Sequence, residues 1–354
     1  MWNEQLYEDA VGLLRQLIAT RSYSKEEDQT AALLCGFLDA RGVKYNRSKN
    51  NVWALNRYFD PARPTLLLNS HHDTVRPNPA YTRDPLDPAI EDGKLFGLGS
   101  NDAGGCVVCL IAAFLHFYDQ KDLKYNIALT VTAEEEISGH NGVEDVLPSL
   151  PEIDFAIVGE PTLTQLAIAE KGLLVLDCFA HGIAGHAARE EGDNAIYKAM
   201  QDIEWFRTFQ FPKVSETLGP VKMSVTMIEA GEQHNVVPPL CKFTVDVRVT
   251  DQYTHEEVLE IIKQHITSEV KPRSMRMRSS SIPKDHPLVQ AGIKMGKEIY
   301  GSPTTSDQAL IPATSVKLGP GDSARSHSAD EFIYLQEISD GIDTYIGLLE
   351  QVIL

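Results

Sequence analysis

Seven acidic and histidine side chains of the chain have the residue types of a metal centre. They lie in five short segments, at the end of a strand-like run or the start of a helix: His71, Asp73, Asp102, Glu135, Glu136, Glu160 and His327. Imidazole and carboxylate groups are common protein ligands of zinc and similar divalent cations. In open α/β sheets, ligands lie outside the carboxyl ends of the strands, so such segments can converge on one crevice. The spacing therefore predicts a metal site built from these segments.

Short apolar runs precede these residues and alternate with helical segments. The runs are Thr65–Leu68, Asn126–Thr132, Asp154–Val158 and Ser315–Leu318. Apolar strands with helices between them are typical of a mostly parallel sheet that helices cover on both faces. We therefore predict a first domain of the α/β class, discontinuous in the chain, over residues 1–171 and 282–354. Within it, Ser24 and Glu27 have the spacing of a capping box before a helix over Ala31–Ala40.

The middle of the chain has a different pattern. Residues of Phe243–Thr250 alternate between apolar and polar, as in a sheet with one covered face. The predicted elements follow the order βαββαβ of a ferredoxin-like unit. They are a strand over Leu173–Ala180, a helix over Asn194–Phe209, strands over Val221–Ile228 and Cys241–Thr250, a helix over His255–Glu269 and a strand over Met275–Ser281. The sequence thus predicts an inserted second domain over residues 172–281.

Net charge, apolar stretches and cysteine pattern each argue against one class of protein. The net charge of -18 over 354 residues repels phosphate backbones, so nucleic-acid binding is not expected. No apolar stretch reaches the roughly 20 residues of a membrane span, and the first residues lack a signal-peptide pattern, so we expect a cytoplasmic protein without a membrane partner. The five cysteines do not form a disulfide framework, and Cys106 and Cys109 are expected in the core of a buried helix.

The segments resemble those of the co-catalytic zinc aminoacylase and deacylase family, peptidase family M20. This family includes acetylornithine deacetylase, succinyl-diaminopimelate desuccinylase and glutamate-releasing carboxypeptidases. The resemblance extends over nearly the whole chain, including the inserted βαββαβ unit. The matching stretches are Ser70–Val75, Gly97–Asp102, Thr132–Glu136, Val158–Thr162 and His327–Glu331.

The resemblance implies a ligand set for two Zn²⁺ ions, with Co²⁺ or Mn²⁺ as substitutes. His71 resembles a ligand of one ion and His327 a ligand of the other. Asp102 resembles the carboxylate that bridges the ions, and Glu136 and Glu160 the remaining carboxylate ligands.

Further roles follow from the same resemblance. Asp73 resembles the residue that fixes the tautomer of His71, and Glu135 resembles the general base. We expect His72 to be a bystander, because the motif needs its first and third positions. Glu134 is expected to have a structural role and not to bind metal directly.

Three residues of the inserted domain resemble lid residues of the family. His186 resembles a histidine that stabilises the oxyanion of the tetrahedral intermediate, from its own subunit or across a dimer. Asn235 and Arg248 resemble residues that bind the substrate, and a guanidinium suits a carboxylate. Without the resemblance, Arg248 would be interpreted as a solvated surface charge. The resemblance also implies a homodimer through the lid.

The implied activity is hydrolysis of the amide bond of a small N-acyl-amino acid. We favour N-acetylornithine, a substrate of arginine biosynthesis, with N-acetylcitrulline and N-succinyl-amino acids as alternatives. A dipeptidase or aminopeptidase is a further alternative, although related aminopeptidases commonly lack the insertion. A metal-binding scaffold is disfavoured, because it would need no base at Glu135. Leu98 and the Ala103-Gly104-Gly105 run depart from the family pattern and leave the substrate open.

Overall fold

A mixed sheet of buried strands underlies the predicted metal ligands. The computed structural model describes residues 4–354 of the chain. They form two units: the first contains the residues up to Ile168, Ser281–Tyr300 and Ser306–Leu354, and the second contains Ala169–Ser280 and Gly301–Thr305. The functional division into a catalytic domain and a lid stays a prediction.

Helices and strands alternate along most of the chain. The helices are α1 (Glu4–Ile18), α2 (Asp28–Asp39), α3 (Gly105–Phe117), α4 (Val143–Val146), α5 (Ala195–Thr208), α6 (His255–His265), α7 (Pro287–Lys294) and α8 (Leu335–Ile353). The strands are β1 (Tyr45–Ser48), β2 (Asn51–Leu55), β3 (Thr65–His71), β4 (Ile90–Glu91), β5 (Lys94–Phe96), β6 (Asn126–Thr132), β7 (Ile153–Val158), β8 (Leu166–Glu170), β9 (Gly172–His181), β10 (Gly185–His186), β11 (Lys222–Ala230), β12 (Val236–Val237), β13 (Leu240–Val249), β14 (Glu269–Pro272), β15 (Ser280–Ser281), β16 (Ile299–Ser302), β17 (Thr314–Lys317) and β18 (Phe332–Tyr334).

The main sheet has nine strands, in the order β1-β2-β6-β3-β7-β17-β8-β15, with β16 paired to β8. Its centre is parallel, because β3 pairs in parallel with both β6 and β7, and β7 pairs in parallel with β17. The pairings of β1 with β2, β2 with β6 and β17 with β8 are antiparallel. The predicted α/β class, a mostly parallel sheet covered by helices, is confirmed.

The central strands are buried on both faces, which explains their continuous apolar runs. Along β3, Leu66 and Leu68 face the larger core, and Leu67 faces a smaller core on the opposite side, as the two-residue period of a strand requires. Helix α3 lies against β3, and α1 and α8 pack against α3. The segment Ser100–Phe117 is the one described stretch with the length and apolar composition of a membrane span, and 83% of it is buried inside the protein.

The second unit contains a four-stranded antiparallel sheet in the order β11-β13-β9-β14, with α5 and α6 in the same hydrophobic core. Its elements follow the predicted order βαββαβ. The predicted last strand over Met275–Ser281 is wrong: β14 is the fourth strand, and it pairs with β9. Helix α6 ends early, at His265, and Val270 then packs into the core, so the strand forms before the segment expected from the sequence.

Candidate metal centre

Three neighbouring parallel strands end at the same edge of the main sheet and carry predicted site residues there. His71 is the last residue of β3 and lies opposite Thr132, the last residue of β6. Glu135 and Glu136 follow β6 in a single turn of 3-10 helix, and Glu160 follows β7. Because the strands are parallel neighbours, their carboxyl ends bring these side chains together.

Two loops supply the remaining predicted ligands. Asp102 lies in the turn Ser100–Gly104, directly before α3. His327 lies in the loop between β17 and β18 and has a φ of 59°, a left-handed backbone conformation that few non-glycine residues adopt.

The imidazole of His71 is buried among carboxylates. Its Nε2 lies 3.3 Å from Oδ1 of Asp102, 3.8 Å from Oε2 of Glu135 and 3.8 Å from Oε1 of Glu160. Its Nδ1 is 3.0 Å from the backbone oxygen of Asp73, so an Nδ1–H donates to that carbonyl. Nε2 itself is buried without a hydrogen-bond partner. With Nδ1–H donated to the backbone, Nε2 is the ring nitrogen that faces the three carboxylates.

His327 faces the same cluster from the other side of Asp102. Its Nε2 lies 3.0 Å from Oε2 of Glu136 and 3.8 Å from Oδ2 of Asp102. Asp102 therefore has one carboxylate oxygen toward each histidine. This is the arrangement expected of a carboxylate shared by two cations.

The donor set fits divalent metal ions. Ligand atoms of His71, Asp102 and Glu136 lie within 4.8 Å of one another, as do those of His71, Glu135 and Glu160. A buried imidazole nitrogen without a partner and several carboxylates in one cluster are costly unless cations compensate them. The structure therefore brings together all five side chains that the sequence predicts as ligands, with Glu135 beside them.

The crowding of carboxylates perturbs their protonation. Burial raises the pKa of Glu135 well above its usual range, and the negative charges of Glu160 and Asp307 add to this effect. Burial also raises the pKa of Glu160 to about 8. The hydrogen bond with Glu136 raises the pKa of His327 to about 9. These three groups thus retain their protons to a higher pH than usual, which reduces the net negative charge of the cluster. Bound cations would have the same effect.

Two buried carboxylates hold the backbone of the Glu134–Glu136 segment. Asp73 accepts hydrogen bonds from the backbone N–H of Glu135, at 3.0 Å, and of Glu136, at 3.2 Å. Glu27 accepts from the backbone N–H of Glu134, at 3.3 Å. The main chain that presents Glu135 and Glu136 is therefore fixed by charge-assisted hydrogen bonds.

The predicted capping box at Ser24 and Glu27 is wrong. Helix α2 begins at Asp28, and Glu27 makes no side-chain cap. The Ser24 hydroxyl donates instead to Asp73, at 2.7 Å, and the Glu27 carboxylate is fully buried. Their spacing is that of a capping box, so the sequence has no signal that separates the two roles.

Asp307 is a buried carboxylate near the site that the sequence does not predict. It accepts hydrogen bonds from the side chains of Asn69 and Thr132, directly behind the strand ends.

His72 and Glu134 are turned away from the cluster. The two ring nitrogens of His72 are within hydrogen-bond distance of the Thr30 hydroxyl and the Asn50 backbone oxygen, at 3.0 and 2.9 Å. Burial lowers the pKa of His72 to about 4, so this imidazole is neutral at pH 7. The Glu134 carboxylate accepts from the Asn141 side chain, at 2.9 Å.

The predicted lid residues all lie in the second unit. His186 in β10 pairs with β12, and the N–H of Ala187 donates to the backbone oxygen of Asn235 at 3.0 Å, so His186 and Asn235 are neighbours. The backbone N–H of Ala188 donates to Nδ1 of His186, which leaves Nε2 to carry the proton of the neutral ring.

Arg248 is not a free cation. Its guanidinium forms a two-point ion pair with Asp246, with N···O distances of 2.8 and 3.0 Å. Arg273 and Arg278 of the same unit are paired in the same way, with Asp177 and Glu256.

Comparison with known proteins agrees with this geometry. The sequence pattern of peptidase family M20/M25/M40 matches residues 67–351. Succinyl-diaminopimelate desuccinylase of Gluconobacter oxydans is 28% identical over 262 residues, which cover 70% of this chain and 69% of that protein. The aminopeptidase PepT of Bacillus cereus has the same fold, with a TM-score of 0.77, 17% identity and coverage of 98% of each chain. The YXEP protein of Bacillus subtilis, a dinuclear metal-binding peptidase, has a TM-score of 0.74 at 15% identity and covers 99% of this chain and 100% of its own.

Proposed function

The chain belongs to peptidase family M20/M25/M40, and on that premise we propose that it hydrolyses the amide bond of a small N-acyl-amino acid with the help of two metal ions. The observation that carries this proposal is the position of Asp102. Its two oxygens face His71 and His327, and Glu135 lies beside the same cluster.

The ligands divide into two groups that share Asp102. His71 and Glu160 would complete the site of one ion, and His327 and Glu136 the site of the other. Zn²⁺ is the proposed ion in both sites, with Co²⁺ or Mn²⁺ as substitutes. When bound, the ions supply Lewis acidity, which polarises the scissile carbonyl and makes a water molecule more acidic.

Glu135 is the proposed general base. Its backbone N–H is fixed by Asp73, and its Oε2 lies 3.8 Å from Nε2 of His71, so its carboxylate borders the proposed metal site. Glu135 takes the proton of the attacking water and then donates it to the departing amine nitrogen, so the proton balance closes within one turnover.

The second unit has the proposed substrate-binding roles. His186 would donate its Nε2–H to the oxyanion, with Asn235 as its neighbour. Arg248 would bind a carboxylate, for which it must share its guanidinium with Asp246 or leave it. We also propose that the protein forms a homodimer through this unit.

N-acetylornithine is the first proposed substrate, which would place the protein in arginine biosynthesis in the cytoplasm. N-succinyl-amino acids are the second, because a relative of 28% identity is a succinyl-diaminopimelate desuccinylase. Dipeptides are the third, because proteins of the same fold include peptidases.

Turnover of four substrates by Zn²⁺-loaded protein tests the proposal: N-acetyl-L-ornithine, N-acetyl-L-citrulline, N-succinyl-L-ornithine and a dipeptide. We expect metal-dependent release of a free amine from at least one N-acyl-amino acid, and loss of turnover after chelation. Preference for the succinyl substrate would keep the mechanism and change the acyl group. Turnover of the dipeptide alone would contradict the N-acyl-amino acid proposal in favour of the dipeptidase alternative, and turnover of none of the four at full metal occupancy would contradict both.

The Glu135→Gln variant tests the base. We expect turnover to fall by about 10²–10⁴-fold, because the amide cannot accept the proton, while metal content stays that of the unsubstituted protein. Glu134→Gln is the matched control, since the Glu134 carboxylate points toward Asn141 and away from the cluster. Substantial activity of Glu135→Gln, or an equal loss in both variants, would refute this role.

A further inference from the structure

Glu331 is a buried carboxylate that takes no part in the proposed ligand set. It is 2% exposed and directly precedes β18, four residues after His327. Because water does not reach this carboxylate, its hydrogen bonds must come from groups of the protein, and these partners indicate its role.

The carboxylate accepts three backbone hydrogen bonds from the loop that carries Asp102. Oε1 accepts from the backbone N–H of Asn101 and of Asp102, both at 2.9 Å, and Oε2 accepts from that of Gly99, at 3.1 Å. The backbone oxygen of Glu331 accepts from the N–H of Gly97, at 2.9 Å. One residue thus holds four N–H groups of the segment from Gly97 to Asp102.

Glu331 therefore connects two ligand-bearing loops. Asp102 is held through its own backbone N–H, and His327 is covalently tied to Glu331 by a short stretch of chain. Asp330, the residue before Glu331, binds Thr82 and Arg83 and makes no such contact with the Gly97–Asp102 segment. A carboxylate that accepts several backbone N–H groups forms stronger bonds than a neutral acceptor would.

We propose that Glu331 is a positioning residue that sets the place of Asp102 relative to His327, and with it the affinity of the metal pair. This inference rests on the proposed function, since it takes Asp102 and His327 as ligands. Glu331 itself lies outside the proposed ligand set.

Titration of the metal-free protein with Co²⁺, followed by visible absorption and by metal content, provides the test. Glu331→Gln keeps the size of the side chain but replaces one acceptor oxygen with an N–H₂ group, which must face a backbone donor. We expect Co²⁺ affinity to fall by about 10–100-fold and the Co²⁺ absorption bands to change, because the shared ligand is displaced.

Asp330→Asn is the matched control. Asp330 is the adjacent carboxylate and also accepts two backbone N–H groups, but those belong to Thr82 and Arg83, in a loop without a predicted ligand. We expect this variant to bind Co²⁺ with the affinity and absorption spectrum of the unsubstituted protein.

The outcomes separate this inference from the proposed function. If the unsubstituted protein and Glu331→Gln both bind two Co²⁺ ions with equal affinity, Glu331 has no positioning role and the proposed function stands. Equal losses in Glu331→Gln and Asp330→Asn would also overturn the inference. If the unsubstituted protein binds no Co²⁺, both proposals fail. Should Glu331→Gln not fold, Glu331→Asp keeps the charge with a shorter reach, and the same loss of affinity is expected.

Discussion

His255 is a buried histidine at the start of α6, in the second unit and outside the predicted metal site. It is 1% exposed. Burial lowers its pKa from the usual 6.5, and the positive charge of Arg278 acts in the same direction. The unfolded chain therefore binds a proton at a higher pH than the folded protein does. The contribution of His255 to stability is complete above pH 6.5 and is lost as the pH falls below that value.

The His255→Phe variant should show a weaker dependence of stability on acid pH. Between pH 7.5 and 5.5, we expect the free energy of unfolding of this variant to fall less than that of the unsubstituted protein. The difference between the two falls is at most about 1.4 kcal/mol for each pH unit below 6.5. Urea unfolding at both pH values measures this difference. Val258→Ala in the same helix removes buried apolar volume without a titrating group, so its destabilisation should be equal at the two values. An unchanged pH dependence in His255→Phe would contradict the expectation.

At the scale of single residues, the sequence identifies the side chains that cluster at the strand ends better than it identifies the groups that support them. His71, Asp102 and Glu160 have side chains whose chemistry and position after a strand or before a helix are visible in the sequence. Glu27 and Glu331 act through backbone N–H groups distant in the chain. Nearly every residue type has the same backbone N–H donor, so only the fold reveals such partners.

At the scale of elements, the turn before α3 depends on the absence of a side chain at Gly104. A Cβ at this position would lie 2.4 Å from the backbone oxygen of Gly99 and 2.7 Å from Cδ1 of Leu14. Backbone cannot move aside as a flexible side chain can. The close approach of Gly99 and Gly104 therefore shapes the turn that presents Asp102.

We expect Gly104→Ala to weaken metal binding and to lower stability, because the turn must open to relieve the contact. Overpacking of this kind typically costs about 1–3 kcal/mol. Gly36→Ala in α2 is the control: its Cβ would meet nothing within 4 Å, and replacing a helical glycine stabilises by about 0.5–1 kcal/mol. Urea unfolding and Co²⁺ titration of both variants give the comparison. Unchanged Co²⁺ affinity in Gly104→Ala would show that the turn adapts.

Among the elements, strands that are buried on both faces are recognised most readily from the sequence. β3 and β6 are wholly buried, so their apolar runs identify them. β14 was placed too late because Met275 and Met277 imitate the alternation of a strand. The antiparallel strands β1 and β2 at the edge of the main sheet were not predicted, since pairing to a neighbour is a tertiary property that local pattern does not contain.

At the scale of the whole molecule, the second unit has an apolar surface beside an open sheet edge. β11 is an edge strand, and its Met227 and Ile228 are 61% and 59% exposed. Tyr197 and Met200 lie one turn apart on α5 and are also exposed. An unpaired edge with exposed apolar side chains is suited to pairing with a second copy.

The Met227→Lys variant tests the proposed dimer, because a lysine on an edge strand opposes strand pairing. Light scattering after size exclusion should give the mass of a dimer for the unsubstituted protein and that of a monomer for the variant. Ile293→Lys in α7 of the first unit is the control, as it also replaces an exposed apolar side chain, and it should remain dimeric. A monomeric unsubstituted protein would exclude this assembly.

The order of strands in the main sheet has a consequence for synthesis of the chain. β17 lies between β7 and β8 in space, although both precede it in sequence by more than a hundred residues. While the ribosome is still making the second unit, β7 and β8 have open edges, which are aggregation-prone in partly made chains. His327 and Glu331 emerge later still. The nascent chain must therefore remain soluble with an unfinished sheet, and it can bring all of the proposed metal ligands together only after His327 has been made.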